Sequence, residues 1–581
     1  MALRSWLLAA VTCAALLGIT MPIQQVEASE NGGMGCAACT LVVGLLEQSA
    51  QIHNRTLTQE AEVMCQWLPG FLATVCADLM GIVGPLVFPI VEDTGSPDIA
   101  CNFITLCKNE TAVCRLFPTP PAIKTEAQYL ELMGSVRSKF AEPPKIDIVS
   151  LVCDKAPQLC KYFHMFLGIP NPRRLAEKFG ISPPSLPTID LDKDKFSDAA
   201  TLRGYDWRGK DCDDLDASIF PGRKSNDAFA DSNCNGIVGL DTTTGESYED
   251  EWCNNTGAMG IALLGDSATA HFRIPAEYLT AGEWNSTTFN FLLPLLENEG
   301  DWPMLSWGTG FVNASSIPVG NIRGPMNSLY TYMKELNQCN NNDYQNMGVN
   351  GADSSNLKDW ATFLNRNGSD TTKPVKPIMV FFSMIGNDVC GAEQNFVHMT
   401  TPEDYLQNVI AGILEVDSFV PPNSMIILVP LVDGRILYDT MHDRIHPIGK
   451  TNNDVTYEDL YNYLNCLDAS PCWGWMNSNE TVRNTTWKIA SSLNAQLPIA
   501  INVTASQVKN VKVYYPGEVM DKAISSAGVP LWELIEPVDG FHPSQTGNAL
   551  IAKAYWTKLQ SMGILPPANP FNEQIIAKFG L

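Results

Sequence analysis

The chain has 581 residues, of which 45% are hydrophobic and 17% charged. That balance excludes wholesale disorder, and the length exceeds one ordinary core, so two or more domains are expected. The net charge of −25, from 63 acidic and 38 basic residues, argues against nucleic acid as a partner, because phosphate binding needs basic surface.

Residues 1–28 read as a secretory signal. Arg4 gives the positive start, Trp6 to Ile19 is apolar, and Val26-Glu27-Ala28 offers a small-residue cleavage site. No later run is long enough for a membrane span; Leu79 to Val91 is too short and holds two prolines. The mature protein is therefore expected to be soluble or to lie on membranes. Of 17 cysteines, Cys13 falls in the signal, which leaves an even number for disulfides. Asn-x-Ser/Thr sequons at Asn54, Asn109, Asn254, Asn285, Asn313, Asn367, Asn479, Asn484 and Asn502 fit a glycoprotein of the secretory route. Secretion is expected, with lysosomes or vesicles as further destinations.

Residues 32–118 form the first unit. Its cysteines are Cys36, Cys39, Cys65, Cys76, Cys101 and Cys107, and helical-period apolar runs lie between them. The C-x-x-C opening, central pair and C-x5-C close resemble the saposin B family. The resemblance implies disulfides Cys36–Cys107, Cys39–Cys101 and Cys65–Cys76 across four or five helices. Such a small unit needs these staples. Pro69-Gly70 must bend a helix or bound one. Apolar helix faces in such a clasp fit acyl chains at a membrane or micelle surface; the alternative is a closed domain that only solubilises its neighbour.

Residues 119–187 read as a Pro-rich connector with a processing site. Cys153 and Cys160 can staple a local loop, and Arg137, Lys139, Lys145, Arg173 and Arg174 are candidate cleavage points. Residues 188–250 form an acidic segment. Asp190, Asp192 and Asp194 alternate; Asp211, Asp213, Asp214 and Asp216 follow; then come Asp227 and the string Asp231-x-Asn233-x-Asn235-Gly236, with Glu249 beyond. Alternating oxygens before a glycine turn are the first half of an EF-hand-type loop, but the closing glutamate is missing at the expected spacing. Hard oxygens without histidine favour Ca2+ over zinc. So many neighbouring carboxylates repel one another without a cation. A solvated acidic loop is the plainer alternative.

From residue 251 to 570, strand-like runs alternate with helical ones. Ile261–Leu264, Ile378–Phe382 and Met425–Val429 read as buried strands; Ser328–Leu336, Pro402–Leu414 and Gln545–Lys558 have helical spacing. The pattern predicts an α/β domain with a parallel sheet. Gly265-Asp266-Ser267 ends the first of those strands, where open α/β folds keep their chemistry. A nucleophilic serine needs a base, an orienting carboxylate and oxyanion donors. Asp539-x-x-His542 supplies carboxylate and imidazole on one tight loop; Asp443-x-x-His446 has the same spacing, and His542 is preferred because it opens a helix-like run near the chain end. Asn387 follows the second strand, and Gly351 sits in a Gly-rich turn whose N–H can approach a substrate. His442 and His446 line the site or are structural.

Gly265-Asp266-Ser267, Gly351, Gly386-Asn387-Asp388 and Asp539-x-x-His542 resemble, in order, the blocks of the SGNH/GDSL hydrolases. That resemblance implies a three-layer α/β/α serine esterase or lipase; no G-x-S-x-G elbow is present. The whole arrangement, with the stretch Leu263 to Phe272, is similar to the acyloxyacyl hydrolase family. Membership would imply removal of secondary acyl chains from the lipid A of lipopolysaccharide. It would also imply cleavage in the connector into a small and a large subunit held by a disulfide, from Cys114 to Cys466 or Cys472. Rival readings are a phospholipase or lysophospholipase with the same triad, and a non-catalytic lipid-transfer protein.

Overall fold

The computed structural model describes residues 33–104, 107, 114–118, 125–140, 185–313, 317, 322 and 324–581. The signal segment, Cys153, Cys160, Lys145, Arg173 and Arg174 lie outside the described residues.

Five helices form the N-terminal module: α1 (Gly33–His53), α2 (Leu57–Trp67), α3 (Phe71–Thr94), α4 (Pro97–Phe103) and α5 (Glu126–Lys139). Local chemistry sets their limits. Thr56 opens α2 through a capping box with Gln59. Pro69 and Gly70 fall between α2 and α3, so they bound helices rather than bend one, and Gly70 takes φ 58°. Gly95, at φ 61°, closes α3. Ser96 caps α4, which has Pro97 at its first position. Helix α5 stands inside the stretch read as connector, where Thr125 caps it and buried Tyr129 packs under Arg115. The three disulfides Cys36–Cys107, Cys39–Cys101 and Cys65–Cys76 are present.

Helix α1 is long and apolar enough to cross a membrane, a length the sequence reading did not assign, but it is buried inside protein. Its Leu41, Val43, Leu45 and Leu46 share one core with Phe272, Leu279, Leu460 and Leu464 of the α/β domain. Each such buried leucine contributes about 1.5–3 kcal/mol. Polar contacts fix the seam: Gln48 Nε2 donates to Ile448 O at 2.9 Å, and Tyr463 O–H donates to Cys36 O at 3.4 Å. Cys114 bonds Cys466 across it; Cys472, the other candidate, pairs instead with Cys390.

The α/β domain is built on five parallel strands, β1 (Gly260–Gly265), β2 (Tyr344–Asn346), β3 (Ile378–Ser383), β4 (Ser424–Leu428) and β5 (Val511–Tyr514), in the order β2-β1-β3-β4-β5. Ile261 registers with Tyr344 on one side and Met379 on the other. Ala262, Leu264, Val380 and Phe382 face a layer containing Trp360, Val409, Ile413 and Leu493. Ile261, Leu263, Met379 and Phe381 face a second layer containing Leu329, Met333, Ile551 and Tyr555. Burial on both faces explains the unbroken apolar runs of β1 and β3. The architecture is thus three-layer α/β/α. The acidic segment docks beside β2: Gly209 N donates to Tyr344 O at 2.9 Å and Asn346 N to Trp207 O at 2.7 Å. Cys212–Cys234 closes this segment internally, and Cys253–Cys339 fastens the chain just beyond it.

Candidate active site

The sheet order makes the chain cross from β1 outward to β2 and back to β3. The crevice at the carboxyl ends of β1 and β3 is therefore the switch point at which such sheets bind ligands. Gly265 ends β1, where an added Cβ would stand 2.1 Å from Thr269 Oγ1. Asp266 then turns the chain: its Oδ1 accepts from Ala268 N at 3.0 Å and its Oδ2 from Ile385 N at 2.8 Å. Asp266 thereby ties the turn at residues 267–270 to the end of β3. Burial pushes its carboxyl up to about 6. This second role for the motif aspartate was not read from the sequence.

Ser267, only 4% exposed, follows on that turn. Ser267 Oγ lies 2.7 Å from His542 Nε2, and His542 Nδ1 lies 2.6 Å from Asp539 Oδ2. Asp539 Oδ1 accepts from Phe541 N at 2.7 Å and from His542 N at 3.0 Å, so the loop holds its own carboxylate still. Gly540 takes φ 62°, and a side chain there would meet Tyr461 Oη at 2.4 Å. The imidazole also rests against Phe272, ring centres 5.0 Å apart. An imidazole so oriented can take the serine proton, while the carboxylate stabilises the imidazolium that results.

The competing pair resolves differently. His446 Nε2 donates to Val538 O at 2.6 Å, and the ring caps the turn at Pro447–Gly449, so His446 braces the backbone next to Asp539. Burial lowers its pKa to about 4. His442 stacks on Tyr438 and hydrogen-bonds its carbonyl, apart from the cleft.

Asn387 stands on the cleft wall with Ser267 and His542. Its Nδ2 donates to Ala352 O at 2.9 Å, which ties it to the turn after β2. Gly351 occupies that turn at φ 77°. Asn346, absent from the sequence reading, stitches this turn to the nucleophile: Nδ2 donates to Thr269 O and Oδ1 accepts from Gly348 N, both at 2.9 Å. Its only sequence signal is an asparagine just ahead of the Gly-rich turn. Beside Ser267 the cleft is apolar, walled by Trp307, Trp475, Ile524, Leu534, Ile551 and Tyr555. It suits a hydrocarbon chain attached at the serine.

The acidic segment brings together part of its carboxylates. Oxygens of Asp190, Asp192 and Asp194 lie within 4.8 Å of one another, as do those of Asp192, Asp211 and Asp214. The Oδ2 atoms of Asp192, Asp194, Asp211 and Asp214 are buried without a hydrogen-bond partner. Burial and their neighbours push Asp194 up to about 8 and Asp211 to about 7. Orphaned, converging carboxylate oxygens fit a hard divalent cation. Asp213 and Asp216 are exposed. The Asp231-Asn233-Asn235 turn is closed by its own hydrogen bonds, with Asp231 accepting from Asn235 N and Gly236 N. Glu249 is taken up by Lys376 at 3.0 Å and by the amides of Asn233 and Asn235. Asp227 Oδ1 accepts from Ser232 N, and its Oδ2 is unpartnered.

Comparison with known proteins agrees with this architecture. A saposin-like domain model matches residues 35–138, and a GDSL-like lipase/acylhydrolase model matches residues 261–555. The human acyloxyacyl hydrolase is 38% identical over 572 residues, covering 96% of this chain and 94% of that protein. The rabbit protein of that name is 38% identical over 94% of this chain and 92% of its own length. The mouse one is 36% identical over 95% and 94%. The chain belongs to the acyloxyacyl hydrolase family, a saposin-like module joined to a GDSL-type domain that hydrolyses acyl esters.

Proposed function

We propose that this protein is a secreted or lysosomal serine esterase that removes secondary, acyloxyacyl-linked fatty acids from the lipid A of lipopolysaccharide. The observation that carries the reading is the Ser267–His542–Asp539 chain of contacts, at 2.7 and 2.6 Å, opening on an apolar cleft. His542 Nε2 takes the Ser267 proton as Oγ bonds the ester carbonyl carbon. The oxyanion is held by Asn387 and by backbone N–H groups of Ser267 and Gly351. The ester C–O bond then breaks, and the alcohol leaves with the proton from His542. Water, deprotonated by His542, attacks the acyl-enzyme and releases the fatty acid and free serine. The saposin-like module presents the amphiphile from a membrane or micelle.

Ca2+ is the cation proposed for the acidic segment, held by Asp190, Asp192, Asp194, Asp211 and Asp214. When bound it supplies charge neutralisation and structural bracing rather than chemistry at Ser267. Cleavage in the connector would leave a small and a large subunit joined by Cys114–Cys466.

The test is mass detection of fatty acids freed from lipopolysaccharide, beside phospholipid and lysophospholipid. The wild-type chain should release acyloxyacyl-linked chains, and Ser267→Ala should release none while still binding the lipid. Turnover by Ser267→Ala, or release from phospholipid alone, overturns the reading.

A further inference from the structure

Behind the triad lies a buried ion pair that the steps above do not use. Arg273 Nε stands 3.3 Å from Glu536 Oε1, with both side chains buried. The two residues come from the two segments that meet at the catalytic contact. Arg273 leaves the nucleophile turn: Phe272 N donates to Ser267 O and Arg273 N to Gly300 O, both at 2.9 Å. Glu536 opens the loop that carries Asp539 and His542. Its N donates to His542 O at 2.8 Å, its carbonyl accepts from Gly540 N at 3.0 Å, and its Oε2 accepts from Val538 N at 2.8 Å. One carboxylate thus closes the base-bearing loop on itself and reaches the chain that bears the serine.

A buried ion pair is a poor source of net stability, since desolvation offsets most of the attraction. Placed between two segments whose spacing decides a proton transfer, it has another use. We propose that Arg273 and Glu536 are a positioning pair that fixes the Ser267 turn against the Asp539–His542 loop, with Arg273 offsetting the second carboxylate beside Asp539. The proposal rests on the triad reading above.

Among the described residues, Asp539 and His542 share the loop; Asp266 and His271 lie on the nucleophile segment; Glu277 follows Arg273; and His446, Tyr457 and Arg444 pack from outside. Burial lowers His271 to about 3 and His446 to about 4, so both stay neutral where the enzyme would work. Burial raises Tyr457 well above the usual phenol range. Burial and Asp539 push the Glu536 carboxyl upward, and Arg273 acts against them. Asp266 and Glu277 are common to every variant below.

The experiment uses the full chain, a soluble p-nitrophenyl ester, and the variants Glu536→Gln, Arg273→Met and the double variant. Each single change should lower kcat roughly 10- to 100-fold with KM moved less than twofold, as expected when reacting groups are misplaced. The acidic limb of the kcat/KM profile should move to lower pH in Glu536→Gln and to higher pH in Arg273→Met. The double variant, which leaves no unpaired charge, should return the limb to its wild-type place and recover thermal stability lost in the singles. Unmoved limbs in both singles, or kcat within twofold of wild type, overturn the pair. Fluorophosphonate labelling separates the two readings. A wild-type chain that labels, with single variants that label and turn over at its rate, sinks the pair alone, and a wild-type chain that neither labels nor turns over sinks both.

Discussion

Asn387 spends one amide N–H on Ala352 O, which fixes the group on the cleft wall beside Ser267. If its remaining N–H holds the oxyanion, Asn387→Ala should lower kcat about 10²–10³-fold, or roughly 2.7–4 kcal/mol of barrier, with KM little changed. Steady-state kinetics on a soluble ester measures this; a loss below fivefold would remove Asn387 from the role. The triad was legible in the sequence because its members carry chemistry by residue type and two of them share one short loop. Asp266, Asn346 and Glu536 were not. Their work is to hold other segments, and the partners that define it, such as Ile385 N for Asp266 or Arg273 for Glu536, are remote in the chain. The choice between His542 and His446 rested on position in the chain, whereas the fold separates them by contact: one imidazole meets the serine and the other a backbone carbonyl.

Among elements, β1, β3 and β4 stood out because strands buried on both faces must be apolar throughout. Strand β2 escaped notice. Tyr-Gln-Asn is short and carries one apolar side chain: Tyr344 packs in the core, while Gln345 and Asn346 serve polar contacts such as Arg208 Nη1 to Gln345 Oε1 at 3.2 Å. Strand β5 lies at the other edge, with Val511 buried and Lys512 exposed, so it lacks the apolar run as well. The acidic segment shows how one element serves another. Arg203, buried and stacked on Trp207 at 3.8 Å, donates to Gly348 O in the turn that carries Gly351. A cation that braces this segment stabilises the folded chain by mass action, about 2.7 kcal/mol at a hundredfold excess over its Kd. Chelation should therefore lower the thermal midpoint, and added Ca2+ should restore it; activity lost with an unchanged midpoint would contradict a bracing role. Differential scanning fluorimetry with and without chelator gives the answer.

For the whole molecule, Glu47 sets a carboxyl of α1 under the influence of Asp454 across the seam between modules. Burial pushes Glu47 of α1 up to about 7 from 4.5, and Asp454 of the α/β domain and Asp98 add to the effect. A carboxyl raised on folding binds its proton more tightly in the folded state, so its contribution favours folding at low pH and is lost as pH climbs from about 4.5 through 7. The midpoint of thermal unfolding should fall between pH 5 and pH 8, and Glu47→Gln should flatten that fall; an unchanged slope in the variant would refute the assignment. The division into a helical module and an α/β domain was readable from cysteine spacing and hydrophobic period. The extent of their contact was not, because α1 looks like any apolar helix until its neighbours are known.

Fastening α1 to the hydrolase has a mechanical consequence. With α1 clamped by a shared core, by Gln48 and Tyr463, and with Cys114 anchored nearby, it acts as a stator. Any widening of the helical module that spares this seam must be carried by the hairpin of α2 and α3, pivoting at the turns around Asn54 and Gly95, both in left-handed backbone conformations. The esterase rim then keeps a fixed attitude to α1.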